Sequence, residues 1–542
     1  MPTQHMSDTT AANFDAIIIG AGVSGLYQLV RLRELGMSVQ VFEAGSDVGG
    51  TWYWNRYPGC RFDSESHTYG YSFSDELLQE WDWSERFAAQ PETLRYLNHV
   101  ADKFDLRSDI QFDSRVASAH FDDADGTWLV GLQDGTDCRA RYLITALGPL
   151  STPAMPAIEG IDDFAGWSSH TSRWPHEPVD FTGKRVAVVG SGATAVQLIP
   201  HVAKDAAELT VYQRTPNWCA PLHNGPLPAE EMEEIKANYH QILADCNDTF
   251  AGFMHDSDKR RALDVSEQER IDFYEQLWAK PGFAIWMANF RDILVNEEAN
   301  ATLSEFAANK IRERVNDPEL AEKLIPTDHG FGTRRVPMET NYFEVYNQDN
   351  VELVSIPDTP IERITATGIE TTDRHREHDM IIYATGFDAV TGGFAQIDFR
   401  GTGGRTLTEV WADGPRTYLG LQVVGFPNLF TLVGPHNAAT FCNIPRCIEQ
   451  NVEFVSDLIA HTRAKGLERV ESTQQASEEW TKHVLETGER MLFTKVRSWF
   501  MNVNTNVGKD TPQFVLYAGG LPLYRQRCDE IAANDYEGFE IT

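Results

Sequence analysis

Two short glycine-rich stretches carry the chemistry that can be read most directly. The first is Gly20-Ala21-Gly22-Val23-Ser24-Gly25, which follows the apolar run Asp15–Ile19 and precedes a helical stretch from Ser24 to Leu35. In a G-x-G-x-x-G turn the first glycine permits a tight reversal. The second lets backbone approach a pyrophosphate, and the third lets the helix lie close to the strand. Free N–H groups and the positive end of the helix dipole then face the phosphate. Glu43 ends the next strand, 23 positions after Gly20. A carboxylate there accepts from ribose hydroxyls and suits a ribose without a 2′-phosphate, as in FAD or NAD. The second stretch is Gly190-Ser191-Gly192-Ala193-Thr194-Ala195, with alanine at the third glycine position. Here the following strand ends in Gln213-Arg214-Thr215, so Arg214 stands almost where Glu43 stands in the first unit. A cation at that place grips a 2′-phosphate by charge-assisted hydrogen bonds. The first unit therefore reads as an FAD site and the second as an NADPH site, and together they imply hydride transfer from NADPH to flavin.

Both stretches need a strand–turn–helix–strand frame, and the sequence supplies it twice. Asp15–Ile19, the helix to Leu35 and Ser38–Glu43 form one βαβ unit; Arg185–Val189, a helix to about Ala203 and Leu209–Gln213 form the other. The fold class expected is α/β, with two Rossmann-like dinucleotide-binding domains and a mostly helical insertion. Between Pro228 and Leu324 the chain is charged and periodic, and Asp317-Pro318-Glu319 reads as an N-cap with proline at the first helical position. Late apolar runs, Met380–Ala384 and Leu429–Val433, are expected to return as strands to the two nucleotide sheets, and a helix is expected near Ile448–Arg463. The expected division is 1–150 and 387–542 for the FAD-binding domain, with C-terminal substrate-pocket loops. Residues 151–225 and 329–386 make the NADPH-binding domain, and 226–328 the insertion.

Asp plus Glu number 80 against 46 Lys plus Arg, a formal charge of −34 over 542 residues. Such a surface repels phosphate backbones and anionic lipid, so nucleic acid and membrane are not expected partners. No apolar run reaches the length of a membrane span. The first 13 residues lack the features of a secretory signal and read as a loose arm. Seven scattered cysteines fit a reducing compartment, and the expected localisation is cytoplasmic. Cys442 and Cys447 have the CxxxxC spacing of some redox-active disulfides, but they read as two unpaired thiols.

Two further segments bear on what the reduced flavin would do. Phe164-Ala165-Gly166-Trp167-Ser168-Ser169-His170-Thr171-Ser172-Arg173-Trp174-Pro175 matches F-x-G-x-x-x-H-x-x-x-W-P, and Gly49-Gly50-Thr51-Trp52 leads through Tyr57-Pro58-Gly59 to Asp63. On these motifs the chain resembles the type I Baeyer–Villiger monooxygenases from about Phe14 to its C-terminus. The resemblance implies FAD, NADPH and O2 as reactants. A small-molecule ketone would become an ester or lactone through a C4a-peroxyflavin. In Gly332-Thr333-Arg334-Arg335 it gives Arg335 the catalytic position, where a permanent cation stabilises developing negative charge. Arg334 replaces the family's usual lysine and would help Arg214 and Thr215 hold the 2′-phosphate. Asp63 would pair with Arg335, and His170 would act as a hinge between the nucleotide domains. Trp499 would touch the nicotinamide cofactor, while Thr51, Trp52 and Tyr69 would lie by the flavin. Trp52 and its neighbour Tyr53 are equally explained as core. Thr440 and Phe441 are candidate substrate contacts. After Trp499 the relatives often read Gly-Ala-Asn-x-Pro-Gly-Lys, whereas this chain reads Asn502-Val503-Asn504-Thr505-Asn506-Val507-Gly508-Lys509, expected to be a mobile loop beside the substrate. The competing readings are an N/S-oxidising flavin monooxygenase, an NADPH-dependent flavin disulfide reductase using Cys442 and Cys447, and a non-catalytic NADPH sensor.

Overall fold

The computed structural model describes residues 12–437 and 442–542. The N-terminal arm before residue 12, and Thr440 and Phe441, lie outside the described residues.

The β-branched run Ala12–Ile19 has strong strand propensity. It lies between two parallel neighbours, Val39–Phe42 and Asp137–Thr145. Among the described residues this sheet has eight strands. It continues on one side through the antiparallel strands Thr127–Leu132 and Val116–Asp122. Two late strands complete it: Asp398–Arg400 beside Val116–Asp122, and Leu429–Thr431 beside the end of Asp137–Thr145. The helix Val23–Glu34 packs on it, and the late helix Ile444–Ala464 packs on that helix, tied to it by a buried Gln28–Ser456 hydrogen bond of 2.9 Å. Distant parts of the chain thus close one core.

The second sheet is fully parallel, in the order Val351–Ser355, Glu208–Gln213, Arg185–Val189, Met380–Tyr383, Trp167–His170. Its central strands are almost continuously buried, as parallel strands covered on both faces must be. The expected returns of Met380–Tyr383 and Leu429–Thr431 are both present, each shorter than its apolar run. The segment expected to be helical holds Ala229–Asp248, Glu267–Trp278, Ala284–Met287, Glu297–Arg314 and Pro318–Leu324. Asp317 caps the last of these by accepting from the backbone of Glu319 and Leu320. No described helix is long and apolar enough to cross a membrane.

Candidate active site

The two glycine turns are built alike. Gly20 has φ +106° and Gly190 has φ +114°. A Cβ on Gly20 would sit 2.6 Å from the carbonyl oxygen of Ala146, and one on Gly190 would sit 2.4 Å from that of Ala384. Each first glycine is therefore fixed both by its left-handed backbone and by the end of the adjacent strand. The helices that follow begin at Val23 and Ala193, and neither has a side-chain cap on its first N–H groups. Elsewhere Ser74, Ser266, Asn296 and Thr473 cap helices. Ser24 and Gly25 are buried in the first turn of the first helix. Leaving donors free at these two helix starts fits phosphate groups.

Glu43 is buried and its carboxylate pKa is raised by that burial, against opposing backbone hydrogen bonds from Ala21, Gly45 and Ala44 and the charge of Arg115. Oε2 accepts from Ala21 N and Oε1 from Gly45 N, each at 2.7 Å. Each oxygen retains a lone pair for a ribose hydroxyl. In the second unit Ser191 Oγ donates to the carbonyl of Thr215 at 2.9 Å, which fixes the strand end bearing Arg214.

A cavity of about 1310 Å³ runs from the second glycine turn to the helical insertion. Gly190, Ser191, Gly192, Ala193 and Thr194 line one end with Arg214, Thr215 and Arg334. Thr51, Trp52, Asp63 and Tyr69 line the other with Arg335 and Trp499. The first glycine turn, Glu43 and His170 are not among its walls. The first glycine turn meets the segment before Thr51–Trp52, where a Cβ on Gly50 would lie 2.8 Å from Gly22 Cα. Trp52 donates to the Tyr69 hydroxyl at 3.2 Å, and Tyr69 stacks on Phe62 at 4.3 Å. Burial pushes the Tyr69 phenol pKa up, so it stays neutral.

Arg335 and Asp63 meet although they are 272 positions apart: Arg335 Nη2 donates to Asp63 Oδ2 at 2.7 Å. Asp63 is buried and also accepts from Met338 N at 3.3 Å and Gln197 Nε2 at 3.4 Å. Arg335 is 31% exposed in its side chain, facing the cavity. Its guanidinium lies 4.8 Å from the centre of the Phe283 ring and 5.8 Å from that of Trp286. It is thus held by a carboxylate and by two aromatic faces. Sequence reasoning missed Gln197, Phe283 and Trp286. The only local trace of the last two is an aromatic and apolar run, Phe283–Trp286, inside an otherwise polar insertion. At the far end Arg334 pairs with Asp328 at 2.9 Å, and its buried Nε has no partner. No carboxylate is within ion-pair distance of Arg214 among the described residues.

His170 ends the strand Trp167–His170; Nδ1 accepts from Ser172 N at 3.1 Å and Nε2 reaches the carbonyl of Gly386 at 3.1 Å. Both ring nitrogens are spent on structure. Burial lowers the pKa of His170, and likewise of His378 and His436, to about 4. Between about pH 6.5 and 4 the unfolded chain binds protons there that the folded chain refuses, so stability falls as pH drops through that window. A His170→Asn variant is expected to melt lower at neutral pH yet to show a flatter acid decline, measured by melting temperature from pH 7.5 to 4.5.

One expectation is corrected: Cys442 and Cys447 are joined as a disulfide rather than left as two thiols. The Trp499–Lys509 segment is folded into short 3₁₀ turns and hydrogen-bonded to residues 385–391.

Two dinucleotide-type units, the second opening on a cleft that also holds a carboxylate-oriented arginine, define a class: flavoproteins that reduce their flavin with a nicotinamide coenzyme. Comparison with known proteins narrows this. Residues 17–280 match the family described as pyridine nucleotide-disulphide oxidoreductase. The chain is 49% identical over 97% of its length to 2-oxo-Delta(3)-4,5,5-trimethylcyclopentenylacetyl-CoA monooxygenase of Pseudomonas putida, covering 98% of that protein. It is 41% identical to cyclohexanone 1,2-monooxygenase of Acinetobacter sp., over 98% of this chain and 97% of that one. A solved structure of OTEMO in complex with FAD and NADP superposes with a TM-score of 0.95 at 49% identity, covering 98% of this chain and 100% of that one. The chain belongs to the type I Baeyer–Villiger monooxygenases.

Proposed function

We propose that this chain inserts one atom of O2 beside a ketone carbonyl, giving an ester or, from a cyclic ketone, a lactone, with FAD as cofactor and NADPH as reductant. The observation that carries this reading is the Arg335–Asp63 pair, which faces the same cavity as the second glycine turn. Bound FAD would take a hydride from NADPH and supply the reduced flavin that activates O2. The residues fit both groups: uncapped helix starts for the phosphates, Glu43 for a ribose, and Arg214, Thr215 and Arg334 with its unpartnered Nε for a 2′-phosphate.

The chain's own part is to hold charge and exclude water. Arg335 presents its guanidinium in a partly buried cleft, where it stabilises negative charge as it develops on the reacting oxygens. Asp63 fixes its orientation, and Phe283 and Trp286 shield one face. Thr51, Trp52 and Tyr69 form the wall for the flavin and Trp499 the wall for the nicotinamide; Thr440 and Phe441, which lie outside the described residues, are the proposed substrate contacts. His170 serves as the hinge residue, its ring against Phe387 where the NADPH-binding domain passes into 387–542. We divide the chain into the FAD-binding domain (1–150 and 387–542), the NADPH-binding domain (151–225 and 329–386) and the insertion (226–328). Strand pairing supports this division, since each sheet draws its strands from one such pair. Five free thiols support a cytoplasmic site of action.

The test is a panel of linear and cyclic ketones under NADPH, with products identified by mass. Oxygen-dependent NADPH loss that rises with a ketone, and a product 16 mass units heavier (one oxygen atom), is the expected result. NADPH oxidation that continues without O2, with no such product, would overturn the reading.

A further inference from the structure

We infer that Thr505 reads the coenzyme's 2′-phosphate jointly with Arg214, so that it helps set the preference for NADPH over NADH. This rests on the reading above that Arg214 holds the 2′-phosphate.

Thr505 opens a one-turn 3₁₀ helix, Thr505–Val507, and its Oγ1 accepts from Arg214 Nη1 at 2.9 Å. The position is set by anchors on either side. Asn504 Nδ2 donates to the carbonyl of Phe387 at 2.8 Å, and Asn506 Nδ2 to that of Thr385 at 3.4 Å. Lys509 pairs with Asp388 and donates to Thr391 Oγ1 at 2.8 Å. Asn504 and Lys509 also exchange two backbone hydrogen bonds, which close the loop on itself. The segment is therefore mounted on the turn that follows Met380–Tyr383, the strand beside Arg185–Val189 in the NADPH-binding sheet.

Arg214 has five N–H donors and no carboxylate partner, and its charge is disfavoured first by burial and then by the nearby Arg334. Two neighbouring guanidiniums, one without a counter-ion, call for an anion. A threonine hydroxyl accepts from Arg214 while its own proton remains free to donate, so it can serve a phosphate oxygen at the same time. A glycine there would offer neither role, and a valine would keep the shape while removing both.

The test uses the FAD-loaded enzyme and the isosteric Thr505→Val variant, with Thr505→Ser as rescue and Arg214→Ala as reference. For Thr505→Val the ratio of kcat/KM for NADPH over NADH is expected to fall about tenfold, equal to ~1.4 kcal/mol. Calorimetry should show adenosine 2′,5′-bisphosphate binding weaker by the same factor and 5′-AMP binding unaltered. Thr505→Ser should restore both. If Arg214→Ala collapses the ratio and Thr505→Val does not, the inference fails and the reading of Arg214 stands. If Arg214→Ala leaves the ratio intact, that reading fails. Equal losses for both coenzymes in Thr505→Val would make Thr505 a structural residue and overturn the inference.

Discussion

An Arg335→Ala enzyme should still let NADPH reduce its flavin at near the parent rate while ester formation falls by ~10²–10³, the usual loss when one preorganised charge-stabilising donor is removed. Hydride transfer needs the two cofactors aligned, the role proposed for the glycine turns, Arg214 and Glu43. Oxygen transfer instead creates negative charge beside the flavin, and Arg335 lines the cavity with Trp52 and is held by Asp63. Arg335→Lys should recover only part of the loss, because a lysine cannot hold Asp63 and lie flat over Phe283 at once. Asp63→Asn should fall between: the charge remains, but its orienting carboxylate is gone. Stopped-flow absorbance reports flavin reduction and gas chromatography reports ester, so the two steps separate cleanly. NADPH consumption that yields hydrogen peroxide in place of ester would match the assigned role; lactone at the parent rate would refute it.

What could be read from the sequence follows from how far each interaction reaches. The two nucleotide units are local: strand, glycine turn, helix and the next strand end fall within about 30 residues, so Gly20 with Glu43, and Gly190 with Arg214, announce themselves. The insertion announced itself through helical periodicity and the Asp317-Pro318 start. Arg335 and Asp63 are different, since no spacing rule joins residues 272 positions apart, and only the family resemblance paired them. Phe283, Trp286 and Gln197 carry no motif at all. They converge because the insertion and the helix Ala193–Asp205 both fold against the segment Tyr57–Asp63, where Tyr57 donates to Gln197 at 2.9 Å. The disulfide escaped for a similar reason. A five-residue separation says nothing until the helix Ile444–Ala464 begins between the two cysteines and turns Cys447 back toward Cys442.

The two glycine turns also predict a pair of opposite failures. Gly25→Ala should be expressed poorly and lose FAD, although alanine favours a helix over glycine by about 0.5–1 kcal/mol. The added Cβ would stand 1.9 Å from the carbonyl oxygen of Gly20 and 3.0 Å from its carbon. Backbone cannot swing aside as a flexible side chain does, so the helix must lift from the strand, at a cost of about 1–3 kcal/mol or more that outweighs the propensity gain. Lifting it also displaces the N–H groups meant for the pyrophosphate. Gly192→Ala should behave in the reverse way. A Cβ there meets nothing within 4 Å, and the residue's φ of −81° suits any L-residue. The fold and the flavin should survive, with at most about 1 kcal/mol lost at the helix start. The methyl, however, fills space that the NADPH pyrophosphate needs, so the KM for NADPH should rise by roughly tenfold or more. Flavin content after gel filtration and melting temperature read the first variant; coenzyme titration reads the second. A Gly192→Ala enzyme with unaltered KM would mean that the turn is kept for packing, and that the coenzyme binds elsewhere.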